Sequence, residues 1–409
     1  MKVLAVLSTL SVALLTAAAA GGGGASISQR GGDLVEYEVS ELDSLGGASS
    51  AGFSINDRGW VAGRSNLPDN RIRHATLWRD GVLTDLGTLG NPEKRNSVVR
   101  WPVKNVRGVI TGISQTDEPD PYDEAWSCSA FFPPATDRGY RCLGFKWQNG
   151  EMTALPTLGG THGFAAGADN AGRIVGWAET TVQDPTNCEL PQRFQFLPVV
   201  WGPRDDQISA LPLLAGDSSG AATAINDRGQ IVGISGICDQ AVGRFTARHA
   251  VLWDRGKVID IGNLGGVAWH TPNAINLHGQ VVGFSNFSAA DGGAYHPHAF
   301  LWTKDDGIRD LETLPAPLDD SSDAWGINNA GQAVGRSCDA DGNCHAFLWQ
   351  NGAMVDLNCL VDPEDCTPDD MLIAAFDIDD GGRIAGQAFD DEAGKFVAFL
   401  ATPRPHSDD

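Results

Sequence analysis

The chain has 409 residues, 42% of them hydrophobic, and it contains 50 glycines but only 4 methionines. Charged residues make up 20%, so the composition excludes a disordered chain and favours a turn-rich, all-β protein. The formal net charge of −23 argues against binding to nucleic acid or to anionic membranes, both of which require basic patches.

The N-terminus has the pattern of a secretory signal. Lys2 supplies the positive end, an apolar run extends from Val3 to Leu15, and Ala18–Ala20 offers a cleavage site, so residues 1–20 are predicted to be a signal peptide. The run is too short for a membrane span, and no other segment is a transmembrane candidate. Residues 21–33 are rich in glycine and serine and predict a flexible lead-in. We therefore expect a secreted or periplasmic protein.

The phrase Ala224–Gly233 returns with variations along the chain, about every 50 residues. Each copy belongs to a unit of four short apolar segments, named A to D, with a tight Asn/Asp-x-x-Gly turn between A and B. In the first unit these segments are Gly52–Ile55, Trp60–Arg64, His74–Trp78 and Val82–Leu86. Segments this short cannot be buried helices, and the turns favour hairpins. Seven such units predict a seven-bladed β-propeller of four-stranded blades over residues 34–403.

Both ends of the chain bear on ring closure. The seventh unit lacks a D segment, and the N-terminal segment Val35–Leu42 matches segment D of the other units. We predict that this strand completes the last blade and removes the exposed edges. Residues 404–409 are predicted to be an acidic tail.

The insertions are concentrated in the B–C connections, and the longest lies between Gly112 and Leu143. Because B–C and D–A loops share one face, and because scaffold-held loops usually carry function, this face is the predicted binding surface.

Two phrases, His298–Trp302 and His345–Trp349, both read HAFLW, and variants begin at His74 and His249. Together with the DLGTLG phrase at Asp85–Gly90, they make the chain resemble the extracellular HAF-repeat family over nearly all of its mature length. The resemblance implies β-propeller-like repeats and no known catalytic residues. The second, third and seventh units depart from the motif.

The repeated histidine of segment C varies in parallel with an aspartate of segment D. Where the histidine is replaced by Leu143 or Leu197, the aspartate is replaced by Ala154 or Ala210. An unpaired buried aspartate would be costly, so this parallel variation predicts buried hydrogen-bonded pairs with a structural role. The predicted pairs are His74 with Asp85, His249 with Asp260, His298 with Asp310, and His345 with Asp356.

A second set of side chains is predicted to lie in B–C or D–A connections on the binding face. Aromatic residues in such loops can stack on sugars or anchor a protein partner, although they can also simply cap loops against the ring. The candidate ligand-binding residues are Trp126, Tyr122, His162, Trp269, His270, Asp323 and Trp325.

Eight cysteines in an exported chain indicate disulfides. Proximity within the blades predicts Cys338–Cys344, Cys359–Cys366 and Cys128–Cys142, and leaves Cys188 and Cys238 in adjacent B–C loops, where they could join. The stretch Asp339–Asn343 resembles the start of a calcium loop but lacks its distal acidic residue. It could equally be a disulfide-closed hairpin, so calcium stays an open alternative and no other metal or cofactor is predicted.

The leading functional hypothesis is a monomeric binding scaffold that uses the B–C/D–A face, with a glycan or a protein as ligand. No catalytic sequence motif is present, so no catalytic residue is assigned. The alternative is an extracellular polysaccharide hydrolase or lyase with acidic residues from several blades at the channel mouth. Converging carboxylates or histidines there would favour the enzyme, and an aromatic patch would favour the scaffold.

Overall fold

The computed structural model describes residues 35–124, 131–133, 136–137, 139–186, 188, 192–204, 207–238, 246–287, 296–364, 366, 368 and 370–404. These residues form seven antiparallel four-stranded sheets arranged in a ring, which confirms the predicted seven-bladed β-propeller. Within this described part, no helix is long and apolar enough to cross a membrane.

The first three blades follow the order of the chain. Blade 1 contains β2 (Ser50–Ile55), β3 (Val61–Asn66), β4 (Arg73–Arg79) and β5 (Val82–Asp85). Blade 2 contains β6 (Ser97–Val98), β7 (Ile110–Pro119), β8 (Tyr140–Gln148) and β9 (Glu151–Ala154). Blade 3 contains β10 (Gly159–Ala168), β11 (Ile174–Gln183), β12 (Phe194–Trp201) and β13 (Ile208–Ala210). In each blade the first strand is the innermost and the fourth the outermost.

The next three blades repeat this order. Blade 4 contains β14 (Ser219–Ile225), β15 (Ile231–Gly236), β16 (His249–Asp254) and β17 (Lys257–Asp260). Blade 5 contains β18 (His270–Ile275), β19 (Val281–Asn286), β20 (Pro297–Thr303) and β21 (Gly307–Asp310). Blade 6 contains β22 (Ser321–Ile327), β23 (Ala333–Cys338), β24 (Cys344–Gln350) and β25 (Ala353–Asp356). One helical turn, α1 (Asn358–Val361), follows blade 6.

Blade 7 is built from both ends of the chain. It contains β26 (Asp370–Ile378), β27 (Ile384–Asp390) and β28 (Lys395–Pro403), and its outer strand is β1 (Tyr37–Leu42). β1 pairs antiparallel with β28, from Tyr37 opposite Pro403 to Leu42 opposite Ala398. This pairing is the predicted closure: it joins the two ends of the chain within one sheet and leaves no open blade.

The repeated A–B turns also connect neighbouring blades. In blade 4, Asn226 Oδ1 accepts the N–H groups of Arg228 and Gln230, which closes the turn. Its Nδ2 donates to Asn276 O, at the corresponding turn of blade 5, over 2.8 Å. Asn276 bonds to Asn328 O of blade 6 in the same way. The turn motif therefore closes the hairpin and connects one blade to the next by a hydrogen bond.

The inner strands share a second feature that sequence periodicity does not reveal. In each of blades 1 and 3–7, the register between the first two strands slips by one residue, which is a β-bulge. A bulge re-aims the extra side chain relative to the strand's regular alternation. The extra residues are Phe53, Ala166, Thr223, Asn273, Trp325 and Phe376. Blade 2 lacks this bulge because its inner strand, β6, has only two residues.

Candidate functional site

The bulges divide the inner wall of the ring into two unlike halves. Blades 3, 4 and 5 contribute the small or polar residues Ala166, Thr223 and Asn273, and the last two are hydrogen-bonded to carbonyls of the next blade. Blades 6, 7 and 1 contribute three aromatic rings. Phe53 and Phe376 have ring centroids 4.3 Å apart, and Trp325 meets Phe376 edge-on at 5.8 Å. One side of the ring thus presents a continuous aromatic wall.

Arg100 of blade 2 lies against this wall. It follows β6, where Pro102 prevents the strand from continuing. Its guanidinium carbon is 4.1 Å from the Trp325 ring centroid and 4.5 Å from that of Phe53, with Phe376 at 5.4 Å. Since Trp325 belongs to blade 6, Arg100 connects blade 2 with a blade that is not its neighbour in the ring. Its Nη1 atom is buried and has no hydrogen-bond partner.

Three more arginines surround Arg100 and, with it, form what we call the arginine cluster. Arg64 donates to Ser49 Oγ, and Arg73 donates to Asn66 Oδ1 and to Phe131 O. Arg336 pairs with the buried Asp323, with 3.0 Å between Nε and Oδ2. All four residues are partly exposed, and Arg64, Arg73 and Arg336 lie in the strands β3, β4 and β23 that flank B–C loops.

The positive charges of the cluster repel one another. Burial lowers the pKa of Arg100 to about 9; repulsion from Arg336 and Arg73 adds to this, and attraction by Asp323 opposes it. Burial also lowers the pKa of Arg73 to about 10. The pKa of Arg64 is lowered by burial and then by Arg73 and Arg100. Four guanidinium groups thus lie together in a chain whose net charge is strongly negative, and within the described part of it Arg336 pairs with Asp323.

Two of the sequence-predicted site residues belong to this arrangement. Trp325 and Asp323 were expected in a D–A connection, but they lie within β22 and are 7% and 5% exposed. That placement was wrong because the inner strands extend further toward the binding face than the four-residue apolar segments indicated. Trp325 Nε1 donates to Asp323 Oδ1. The four arginines were missed, because nothing in their local sequence shows that they converge.

Tyr122 and His162 lie elsewhere, between blades 2 and 3. Tyr122 is 41% exposed and packs edge-on against Phe194. His162 was also expected in a loop, but it lies in β10 and is fully buried. Its Nε2 is 3.2 Å from Asp120 Oδ2. Trp126 lies outside the described residues.

Trp269 and His270 form a third, separate group in blade 5. Trp269 is half-buried just before β18 and meets Phe284 edge-on at 6.4 Å. His270 begins β18 and is fully buried, with Nδ1 2.8 Å from Ser285 Oγ and Nε2 3.1 Å from Gly266 O. Burial lowers its pKa to about 4. These contacts hold the start of the inner strand and do not reach the arginine cluster.

The four histidine–aspartate pairs are hydrogen-bonded, but their burial differs from the expectation. The Nδ1–Oδ2 distances are 2.8, 2.9, 3.0 and 2.7 Å in blades 1, 4, 5 and 6. Only His74 is buried, at 2% exposed, and it also bonds to Pro92 O. His249 and Asp260 are 37% and 44% exposed. The expectation of uniformly buried pairs is therefore corrected, because segments C and D are the outer strands of a blade.

Three of the predicted disulfides are present: Cys188–Cys238, Cys338–Cys344 and Cys359–Cys366. Cys142 is also disulfide-bonded, and Cys128 lies outside the described residues.

Neither of two metal-like groupings in the described chain offers free ligands. Asp184, Cys188 and Cys238 lie close together, but the two sulfurs are bonded to each other and are not thiolates. In the calcium-like loop, the Asp339 carboxylate accepts the backbone N–H groups of Asp341 and Asn343 and the Asn343 side-chain amide. That carboxylate closes a hairpin turn.

No protein-family model matches the chain, and no curated protein matches it. Solved structures that resemble it have low sequence identity to it. The β-propeller domain of the Trilobed protease from Pyrococcus furiosus is 8% identical, with 88% of this chain and 99% of that chain covered and a TM-score of 0.45. Trypanosoma rangeli sialidase is 9% identical, with 89% and 59% covered and a TM-score of 0.39. A lectin of Aleuria aurantia is 8% identical, with 89% and 100% covered and a TM-score of 0.31. These similarities concern the fold alone.

Proposed function

We propose that this protein is a secreted or periplasmic member of the HAF-repeat family that binds an anionic ligand at the arginine cluster. The single observation that carries the proposal is the convergence of like charges: four guanidinium groups lie together and repel one another, and Arg336 pairs with the carboxylate of Asp323. Guanidinium groups recognise carboxylate, sulfate and phosphate groups with paired hydrogen bonds, and the Nη1 atom of Arg100 has a hydrogen to donate. The aromatic wall offers rings on which a sugar or an apolar side chain can pack.

The ligand class that fits both features is a glycan that carries carboxylate or sulfate groups, and a protein segment with acidic side chains is the second form of the same chemistry. A polysaccharide hydrolase is less well supported. Glycosidases of the common type use two carboxyl groups flanking the bond, whereas Asp323 is the one carboxylate that contacts the arginine cluster among the described residues. Asp323 is also held by Arg336 and Trp325.

The test compares matched charged and neutral ligands. We expect oligosaccharides of glucuronic acid to bind the full-length protein in isothermal titration calorimetry, and the corresponding glucose oligosaccharides not to bind. Arg100→Gln should weaken binding by about tenfold to a hundredfold, because a hydrogen bond to a charged group contributes about 1.5–3 kcal/mol. Arg228→Gln is the matched control, since Arg228 is exposed on the opposite, A–B face.

A second variant separates binding from folding. Arg100→Met keeps much of the side-chain volume and removes a guanidinium that is repelled by its neighbours. If Arg100 serves a ligand, this variant should lose binding while its melting temperature stays equal or rises. A marked loss of stability would instead show that Arg100 stabilises the fold. Equal binding of neutral and acidic oligosaccharides would contradict the proposal, and release of shorter saccharides would favour the hydrolase or lyase.

A further inference from the structure

A second group of charged residues lies away from the arginine cluster, between the B–C insertion of blade 2 and the strands of blade 3. It contains Asp120 and Glu124, which follow β7, together with His162 of β10 and Glu179 of β11. The side chains of Asp120 and His162 are fully buried, as are the residues Glu124 and Glu179. Three carboxyl groups removed from water in one place require compensation by donors, protons or a cation.

Hydrogen-bond donors satisfy only part of this group. Asp120 accepts the backbone N–H groups of Tyr122 and Glu124 and also faces His162 Nε2. Glu179 Oε2 accepts the backbone N–H groups of Thr161 and His162. By contrast, both carboxylate oxygens of Glu124 and the Oε1 atom of Glu179 are buried without a hydrogen-bond partner. Three acceptor atoms on two carboxylates are thus available to bind a proton or a cation.

Both ring nitrogens of the histidine already have partners. His162 Nδ1 accepts the backbone N–H of Cys142 over 3.1 Å, so the ring proton resides on Nε2, which faces Asp120. Both nitrogens are therefore engaged, and a charged imidazole would lose the Cys142 hydrogen bond. Burial, and then the charge of Glu179, raises the pKa of Glu124 to about 8, and the proximity of Arg193 offsets part of this rise. Burial likewise raises the pKa of Glu179.

We propose that Glu124 and Glu179 bind a calcium ion, which fastens the B–C insertion of blade 2 to blade 3. The open ligand atoms are all carboxylate oxygens, as a hard cation requires. Zinc and related metals prefer nitrogen or sulfur, and His162, the imidazole among the described residues of this group, has both nitrogens engaged. Magnesium keeps several waters in a strict octahedron, which does not suit a fully buried site. Calcium accepts irregular sets of oxygens, so carbonyls of the surrounding loops can complete its shell.

The experiment measures thermal unfolding of the full-length protein at pH 8, in EDTA and in millimolar calcium or magnesium. We expect calcium to raise the melting temperature of the wild type more than magnesium does. Glu124→Gln should remove this shift and should also melt higher than the wild type in EDTA, because it deletes a buried charge. Glu151→Gln is the matched control: Glu151 is an exposed carboxylate on β9 of blade 2, and the variant should keep the full calcium shift.

Two results would overturn the proposal. One is a calcium shift of the same size in Glu124→Gln and in the wild type. The other is no calcium effect on the wild type, together with stability that decreases as the pH rises from 4.5 through about 8, since a raised pKa favours folding only while the carboxyl is protonated. A proton, not a cation, would then neutralise the pair. If Glu124→Gln does not fold, Glu179→Gln and a calorimetric titration of the wild type, expected to give one calcium ion per chain, decide the same question.

Discussion

The two faces of the ring use their polar side chains in opposite ways. On the A–B face the same short motif recurs in every blade, and its polar atoms form hydrogen bonds within the turn and to the neighbouring blade. Asn226, for example, makes hydrogen bonds of both kinds. Near the B–C face the loops differ in length, and Arg100, Glu124 and Glu179 have buried polar atoms without partners. The contrast indicates that the repeated residues hold the ring together and that the unrepeated ones are available for ligands.

The largest effect is expected on the A–B face. Asn226→Ala removes the acceptor of two backbone N–H groups and the donor to Asn276 O in a buried turn. Leaving buried backbone groups unpaired should lower the free energy of unfolding by about 3 kcal/mol, measured by urea denaturation. Arg228→Ala, in the same turn but exposed, should change it by less than about 0.5 kcal/mol.

The chain itself offers a rescue for that variant. In blade 3 the position of Asn226 is Asp169, and the position of Gln230 is Arg173, whose Nε donates to Asp169 Oδ2 over 2.6 Å. The double variant Asn226→Asp with Gln230→Arg should therefore recover most of the stability that Asn226→Ala loses. If the double variant is no more stable than Asn226→Ala, the two turns are not interchangeable. The A–B turns would then not form equivalent connections between the blades.

The next effect concerns a buried ion pair between blades 2 and 7. Lys104 of blade 2 is 2.5 Å from Asp377 of β26, which is fully buried and also accepts the backbone N–H of Ile55. Burial outweighs the lysine and raises the Asp377 pKa from 3.8 to about 6. Because the folded state then binds the proton more tightly than the unfolded state, stability rises as the pH falls through about 6 toward 3.8.

Urea unfolding at a series of pH values tests this linkage. Relative to Asp377→Asn, the wild type should gain on the order of 2 kcal/mol as the pH falls across that window. Asp80→Asn, at an exposed turn, should leave the pH dependence unchanged. Parallel curves for the wild type and Asp377→Asn would mean that the carboxyl group titrates normally and that Lys104 fully compensates its burial.

The contrast between repeated and unrepeated residues also explains which features could be predicted from the sequence and which could not. The turns and the closing strand are local or repeated patterns, so the seven blades and the β1–β28 pairing follow from them. The convergence of Arg100 on Trp325 is neither local nor repeated: it depends on the bulge that re-aims Trp325 and on the loss of the inner strand at Pro102. Similarly, the burial of Glu124 depends on how a single insertion packs against blade 3. The framework was therefore predictable, whereas the candidate sites required the three-dimensional arrangement.

The smallest effect is expected for the histidine–aspartate pairs, which are repeated but lie on the outer strands. Double-mutant cycles with histidine changed to leucine and aspartate to alanine measure the coupling in each pair. For His74 and Asp85 we expect about 1 kcal/mol, since His74 is 2% exposed and is held at both nitrogens. For His249 and Asp260, at 37% and 44% exposed, we expect less than about 0.5 kcal/mol. Equal coupling energies in both cycles would mean that burial does not determine the strength of these pairs. The recurrence of a residue in the repeats would then predict its contribution to stability better than its exposure does.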